Sequence, residues 1–177
     1  MTPMNRLPNR NQLLPVYAVG VTILYSWAII VTIRSSLFTW VLYLNVPEIL
    51  TLVAYILAGA FLESLLLIAA LTIFSVLLPS KLLTEKFILR GTILTITFLS
   101  SIMFYYTQTP LGEALVDIYK WVLFFTVSTV GFLLAAENIQ TIKNTVELIA
   151  DRAMVFLYIY LPISIISVIV VIIRSLG

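Results

Sequence analysis

From Ile49 to Leu78 the chain runs through thirty positions that carry one charge, Glu63, and it stops only at Pro79-Ser80. As a helix rising 1.5 Å per residue, this stretch is about 45 Å long, more than the ~30 Å hydrocarbon core of a bilayer. It predicts a membrane span, starting near Pro47, that tilts or projects at one end. A soluble domain of 177 residues could not hide several such segments, because so small a fold leaves much of its surface in water. The whole chain repeats the bias. It is 62% hydrophobic and 10% charged, against about 45–50% and about 25% in a soluble domain. Lipid is the solvent that suits these side chains, and a helical bundle satisfies its own backbone there.

Four further runs have the length or composition of a span. Residues 1–12 form a polar tail with Arg6 and Arg10, followed by an apolar run, Leu13–Ile33, that ends at Arg34. That run is longer than the 7–15 residue core of a signal peptide, and no A-x-A-like site follows, so it reads as a retained first span. SSLFTWVLYL, residues 35–44, is too short to cross; its Phe38, Trp40 and Tyr43 suit a segment lying at the headgroup level. NVPE, residues 45–48, announces the next helix, with Pro47 in its first turn and Glu48 near the positive end of the helix dipole. The remaining spans are expected at about 87–107, 114–136 and 153–173. Between the last two lies ENIQTIKNTVELIADR, residues 137–152, where Ile139, Ile142, Val146 and Ile149 recur at helical spacing among polar residues. It is expected to be an amphipathic cytoplasmic helix, too polar to span.

The expected fold is therefore all-α: one integral membrane domain over residues 13–177, with five transmembrane helices, an outer interfacial segment and an inner amphipathic helix. Five spans place Arg6, Arg10, Lys81, Lys86, Arg90, Lys143 and Arg152 on one side and Arg34, Lys120 and Arg174 on the other. The excess of Lys and Arg on the first side predicts a cytoplasmic N-terminus and an outside C-terminus, in a plasma or bacterial inner membrane. No internal repeat is visible, and five spans do not divide into the two halves common in secondary transporters.

Cysteine and histidine are both missing from the sequence. That removes thiolate nucleophiles, Cys-built metal and iron–sulfur sites, His-ligated haem and the commonest general base. No nucleotide-binding, nucleophile-elbow, zinc-protease or selectivity-filter motif occurs. A net charge of +2, scattered along the chain, does not suit nucleic acid. No catalytic residue, cofactor or metal ligand is expected, and the protein is expected not to be an enzyme.

Chemistry then concentrates on Glu63. Its neighbours on the same helical face are Ile56, Gly59, Ala60, Leu67 and Ala70. Gly59, Ala60 and Ala70 are small enough for a second helix to pack closely, so Glu63 is expected to face protein. A carboxylate there must be neutralised or paired. Donors within the chain could be Tyr17, Thr22, Tyr25 or Ser26 of the first span, or Thr92, Thr95, Thr97, Ser100 or Ser101 of the third. One reading makes Glu63 a proton or cation carrier. The simpler one makes it a packing or partner contact, since no second titratable group is at hand for a relay. The hydroxyls of TILTITFLSS could line a polar path, but such groups more often bond back to their own helix. Glu113 and Asp117, four apart, could share a face for acid–base work or a cation, but acids also gather at helix starts for dipole reasons alone. These features favour an accessory or scaffold subunit, whose partners are the lipid bilayer and other membrane subunits or a second copy. A small transporter or channel component using Glu63 is the alternative, and a lipid-acting membrane enzyme the least favoured.

Overall fold

A computed structural model describes residues 8–77, 86–108 and 118–176, and every element among them is helical. Helix α1 is Arg10–Thr32, followed by a π-helical turn over Ile33–Leu37 and by α2, Phe38–Tyr43. The others are α3, Val46–Leu77; α4, Phe87–Gln108; α5, Ile118–Asn138; and α6, Gln140–Leu176. Five helices are long and apolar enough to cross a membrane: the α1–α2 unit from Arg10 to Tyr43, then α3, α4, α5 and α6. They coincide with the five runs expected from hydropathy.

The boundary of α3 follows from local chemistry. Leu44 is extended, with φ −119° and ψ 151°, and ends α2. The Asn45 N–H then donates to Glu48 Oε2 at 2.9 Å, which satisfies one of the donors that a helix start leaves open.

Two boundaries differ from expectation. The first helix does not end at Arg34. It continues through the π-turn into α2, so residues 35–44 extend α1 instead of forming a separate segment. No glycine or proline interrupts the chain between Gly20 and Pro47, and Thr32 and Ser35 fold their hydroxyls back onto the Ala28 and Val31 carbonyls at 2.7 Å. Nothing local stops the helix. Likewise, the amphipathic stretch and the fifth span are one helix, α6, about 55 Å long by its rise. Its buried line is Val146, Ala150, Ala153, Leu157, Ser164 and Ser167, at steps of three, four or seven, and it passes through both parts without a break. Ile139 and Ile149 fall off that line and stay exposed, while Ile142 packs half-buried beside the buried Val146, so only the middle of the expected apolar face is covered.

Helix α1 is the centre of the bundle. Helices α3, α4 and α6 all pack on it, and α3 also packs on α6. Close approach is made possible by Gly20 and Gly91. A Cβ on Gly20 would stand 2.2 Å from Leu67 Cδ2, and one on Gly91 would stand 3.3 Å from both methyls of Val16. Hydroxyls tie the same helices. Ser64 Oγ donates to the Phe61 carbonyl and Ser164 Oγ to the Tyr160 carbonyl, so the tyrosines must be the donors in the two cross-helix bonds. Tyr17 thus donates to Ser64 on α3 at 3.1 Å, and Tyr25 to Ser164 on α6.

Helix α5 is peripheral, packing on α4 and α6 with only Thr129 and Ala136 buried. It is held by the Thr129–Thr97 hydroxyl bond at 3.0 Å, by Trp121 edge-on to Phe104 and Tyr105, and by the Arg90–Glu137 ion pair.

Candidate functional site: a groove beside Glu63

Helices α3 and α4 lie against α1 but make no extended contact with each other. The gap between them is a groove of about 550 Å³. Its floor is α1 and the π-turn, from Leu24 and Trp27 to Ser35 and Trp40; α3 forms one wall from Ile56 to Glu63, and α4 the other from Leu99 to Tyr106. Since α3 runs opposite to α1 and α4, Leu24, Glu63 and Leu99 lie at one end, and Trp40, Ile56 and Tyr106 at the other. The walls are mostly apolar, and Glu63 is the only carboxylate among the lining residues, which include no Lys or Arg; Tyr106 is the other titratable side chain.

The direction of Glu63 is set by its neighbour. Ser64 is fully buried and faces α1, where it accepts from Tyr17. Adjacent residues on a helix point about 100° apart. With Ser64 turned inward, Glu63 is turned out into the groove, where it is exposed. It makes no hydrogen bond or ion pair with any described residue.

The hydroxyls expected to serve Glu63 are placed elsewhere. Tyr17 and Tyr25 serve the two serines, Thr22 bonds the Ala18 carbonyl at 2.8 Å, and Thr97 bonds the Ile93 carbonyl at 2.8 Å. Thr92 and Thr95 are buried with no partner among the described residues. Within the groove itself, Thr32 and Ser35 donate to their own helix. Ser35 and Ser36 lie 3.0 Å apart, and because Ser35 has spent its proton, Ser36 must be the donor there. These three groove hydroxyls therefore have no proton left for a carboxylate.

The three small residues part company. Ala60 is buried against the cluster that contains Tyr17, Val21 and Ala150. Gly59 is half-buried and borders the groove; a Cβ there would meet nothing within 4 Å, so no described helix closes over it. Ala70 is half-buried further along α3. Glu113 and Asp117 lie outside the described residues. Sequence reasoning missed the aromatic lining, Trp27 and Trp40, and the ion pair of Arg90 with Glu137, although both charges fall near the end of their helices on the same side of the bundle. No group of three or more acidic, His or Cys side chains that could hold a metal occurs among the described residues.

No protein-family model, curated protein or solved structure matches this chain.

Taken on its own geometry, the groove offers a carboxylate without a donor, a long apolar wall and open space beside Gly59. That arrangement can accept a hydrogen bond or a positive charge brought by another molecule. A relay would need a second titratable group beside Glu63, and the lining's other one, Tyr106, lies at the opposite end of the groove.

Proposed function

We propose that the chain is a non-enzymatic, multi-pass membrane protein, an accessory subunit that takes a helix of another membrane protein into the groove beside Glu63. The five long apolar helices support membrane insertion, as do the many large aliphatic and aromatic side chains exposed along α3, α5 and α6. The distribution of Lys and Arg supports an N-terminus in the cytoplasm, a C-terminus outside and a plasma or bacterial inner membrane.

The observation that carries the docking reading is Glu63. It sits near the middle of α3, seventeen positions from Val46 and fourteen from Leu77, so a spanning α3 carries it inside the hydrocarbon layer, where an uncompensated carboxylate is costly. Ionisable groups at that depth ordinarily face protein or a water-filled cavity. Here no described residue donates to Glu63, and a partner helix would supply both a donor and the missing wall. A transport reading would use the same carboxylate as a carrier; it has less support, because the groove's other titratable side chain, Tyr106, lies at the far end from Glu63.

Extraction in mild detergents followed by affinity purification tests the proposal. The wild-type chain should bring down a membrane protein in stoichiometric amount, and Glu63→Gln and Gly59→Leu should lose it while remaining monodisperse and helical. A monomeric wild-type chain in several mild detergents, or a partner retained by both variants, would overturn the docking reading. Proton or cation flux in vesicles that is abolished by Glu63→Gln would replace it with transport.

A further inference from the structure

We propose that the helix received by the groove presents a basic side chain, Lys or Arg, to Glu63. The inference rests on the reading of the groove as a helix-docking site, and it specifies the chemistry of the occupant.

Donors and charge together select the occupant. The Thr32, Ser35 and Ser36 protons are already committed, and the helical backbone around Glu63 has spent its own N–H groups on the helix. The other donors of the lining, the Trp27 and Trp40 indole N–H groups and the Tyr106 hydroxyl, do not bond Glu63 either, so no described residue serves it and the donor falls to the occupant. A neutral donor such as Asn would leave an ionised carboxylate uncompensated in a medium of low dielectric; a basic group cancels the charge and donates as well. Sterics agree. The open space at Gly59, one turn from Glu63, lets a second backbone come near. The groove extends from Glu63 past several turns of α1, which leaves room for the long aliphatic stem of a Lys or Arg to lie on apolar surface. Trp27 and Trp40 line the same groove, and aromatic faces attract cations in a desolvated setting.

The test uses the full chain in bicelles and three synthetic Leu/Ala transmembrane peptides that differ only at a central position, which is Lys, Asn or Leu. Affinity is read by fluorescence energy transfer. The Lys peptide should bind at least tenfold more tightly than the Leu peptide, with the Asn peptide between them. Glu63→Gln should bring the Lys and Leu peptides to within about threefold of each other. Glu63→Lys should reverse the preference in favour of a peptide with a central Glu. Equal binding of Lys and Leu peptides to the wild-type chain would overturn the proposal. So would tightest binding by Asn, or a Lys preference that survives Glu63→Gln. Gly59→Leu separates the two levels of inference. If it abolishes capture of the native partner while the peptides show no Lys preference, docking stands and the basic partner falls. If the Lys preference persists with the groove blocked, the groove is not the site and both fall.

Discussion

Replacing Gly20 by alanine puts a methyl group where α1, α3 and α4 are closest. The added Cβ would stand 2.2 Å from Leu67 Cδ2 and 3.4 Å from Thr95 Cγ2. Carbon atoms rest at about 3.5–4.0 Å, so the Leu67 methyl has to retreat by about 1.5 Å. Leu67 is 9% exposed and packed with Val16, Leu24, Leu71, Phe87 and Leu99, which leaves its side chain little free volume. Overpacking of this kind costs about 1–3 kcal/mol. Against it stands the gain in helix propensity from Gly to Ala, about 0.8–1.0 kcal/mol. Gly59→Ala has the same gain and meets nothing within 4 Å. The propensity gain cancels in the comparison, so the two variants should differ by about 1–3 kcal/mol, with Gly20→Ala the less stable. Reversible unfolding by SDS in mixed micelles, followed by circular dichroism, measures both. Adding Leu67→Ala to Gly20→Ala should relieve the clash, so that the double variant loses less than the sum of the singles by about 1 kcal/mol or more. If the two alanine variants agree to within about 0.5 kcal/mol, and Leu67→Ala adds independently, Gly20 is not at a close crossing and the packing of α3 on α1 is wrongly described.

Tyr25→Phe should cost about 0.6 kcal/mol and at most about 1.7, the range of hydrogen bonds between membrane helices, and Ser164→Ala should add almost nothing to it, because the two share one bond. Fully additive losses in the same unfolding assay would show that the Tyr25–Ser164 contact carries no energy. Thr92→Val and Thr95→Val remove hydroxyls that are buried without a partner among the described residues while nearly keeping the shape, so each should stabilise the bundle, by up to about 1–3 kcal/mol. A loss of stability in either variant would mean that its hydroxyl is satisfied in the folded protein.

Much of the architecture could be read from short windows of sequence. Each of the five long helices announces itself by an apolar run, and Asn45 with Glu48 marks the start of α3 as expected. The places that could not be read this way share a cause. Arg34 resembles the end of a span because a charge ends an apolar run, yet a helix ends where its backbone bonds end, and no residue there breaks them. In residues 139–149 the isoleucine spacing marked an apolar face. Burial covers Ile142 and Val146 of that face and then turns to Ala150, because the rest of α6 already packs along that line through Ala153 and Leu157.

Glu63 shows where the division falls. That a carboxylate stands near the middle of a long apolar helix is written in residues 49–78 and needs no structure. Which way it points is not, because α3 is apolar on nearly every side and no face is marked by its own pattern. The bond from Tyr17 to Ser64 settles the rotation of α3, and it joins residues 47 positions apart. The groove depends on still more distant terms: α3 and α4 meet across Gly20, where Leu67 packs with Phe87 and Leu99, and leave a gap over the later turns of α1. Hydropathy is a sum over neighbours in the chain, and it yields the helices and their number. Orientation and gaps arise from contacts between helices, and only the packed bundle sets them.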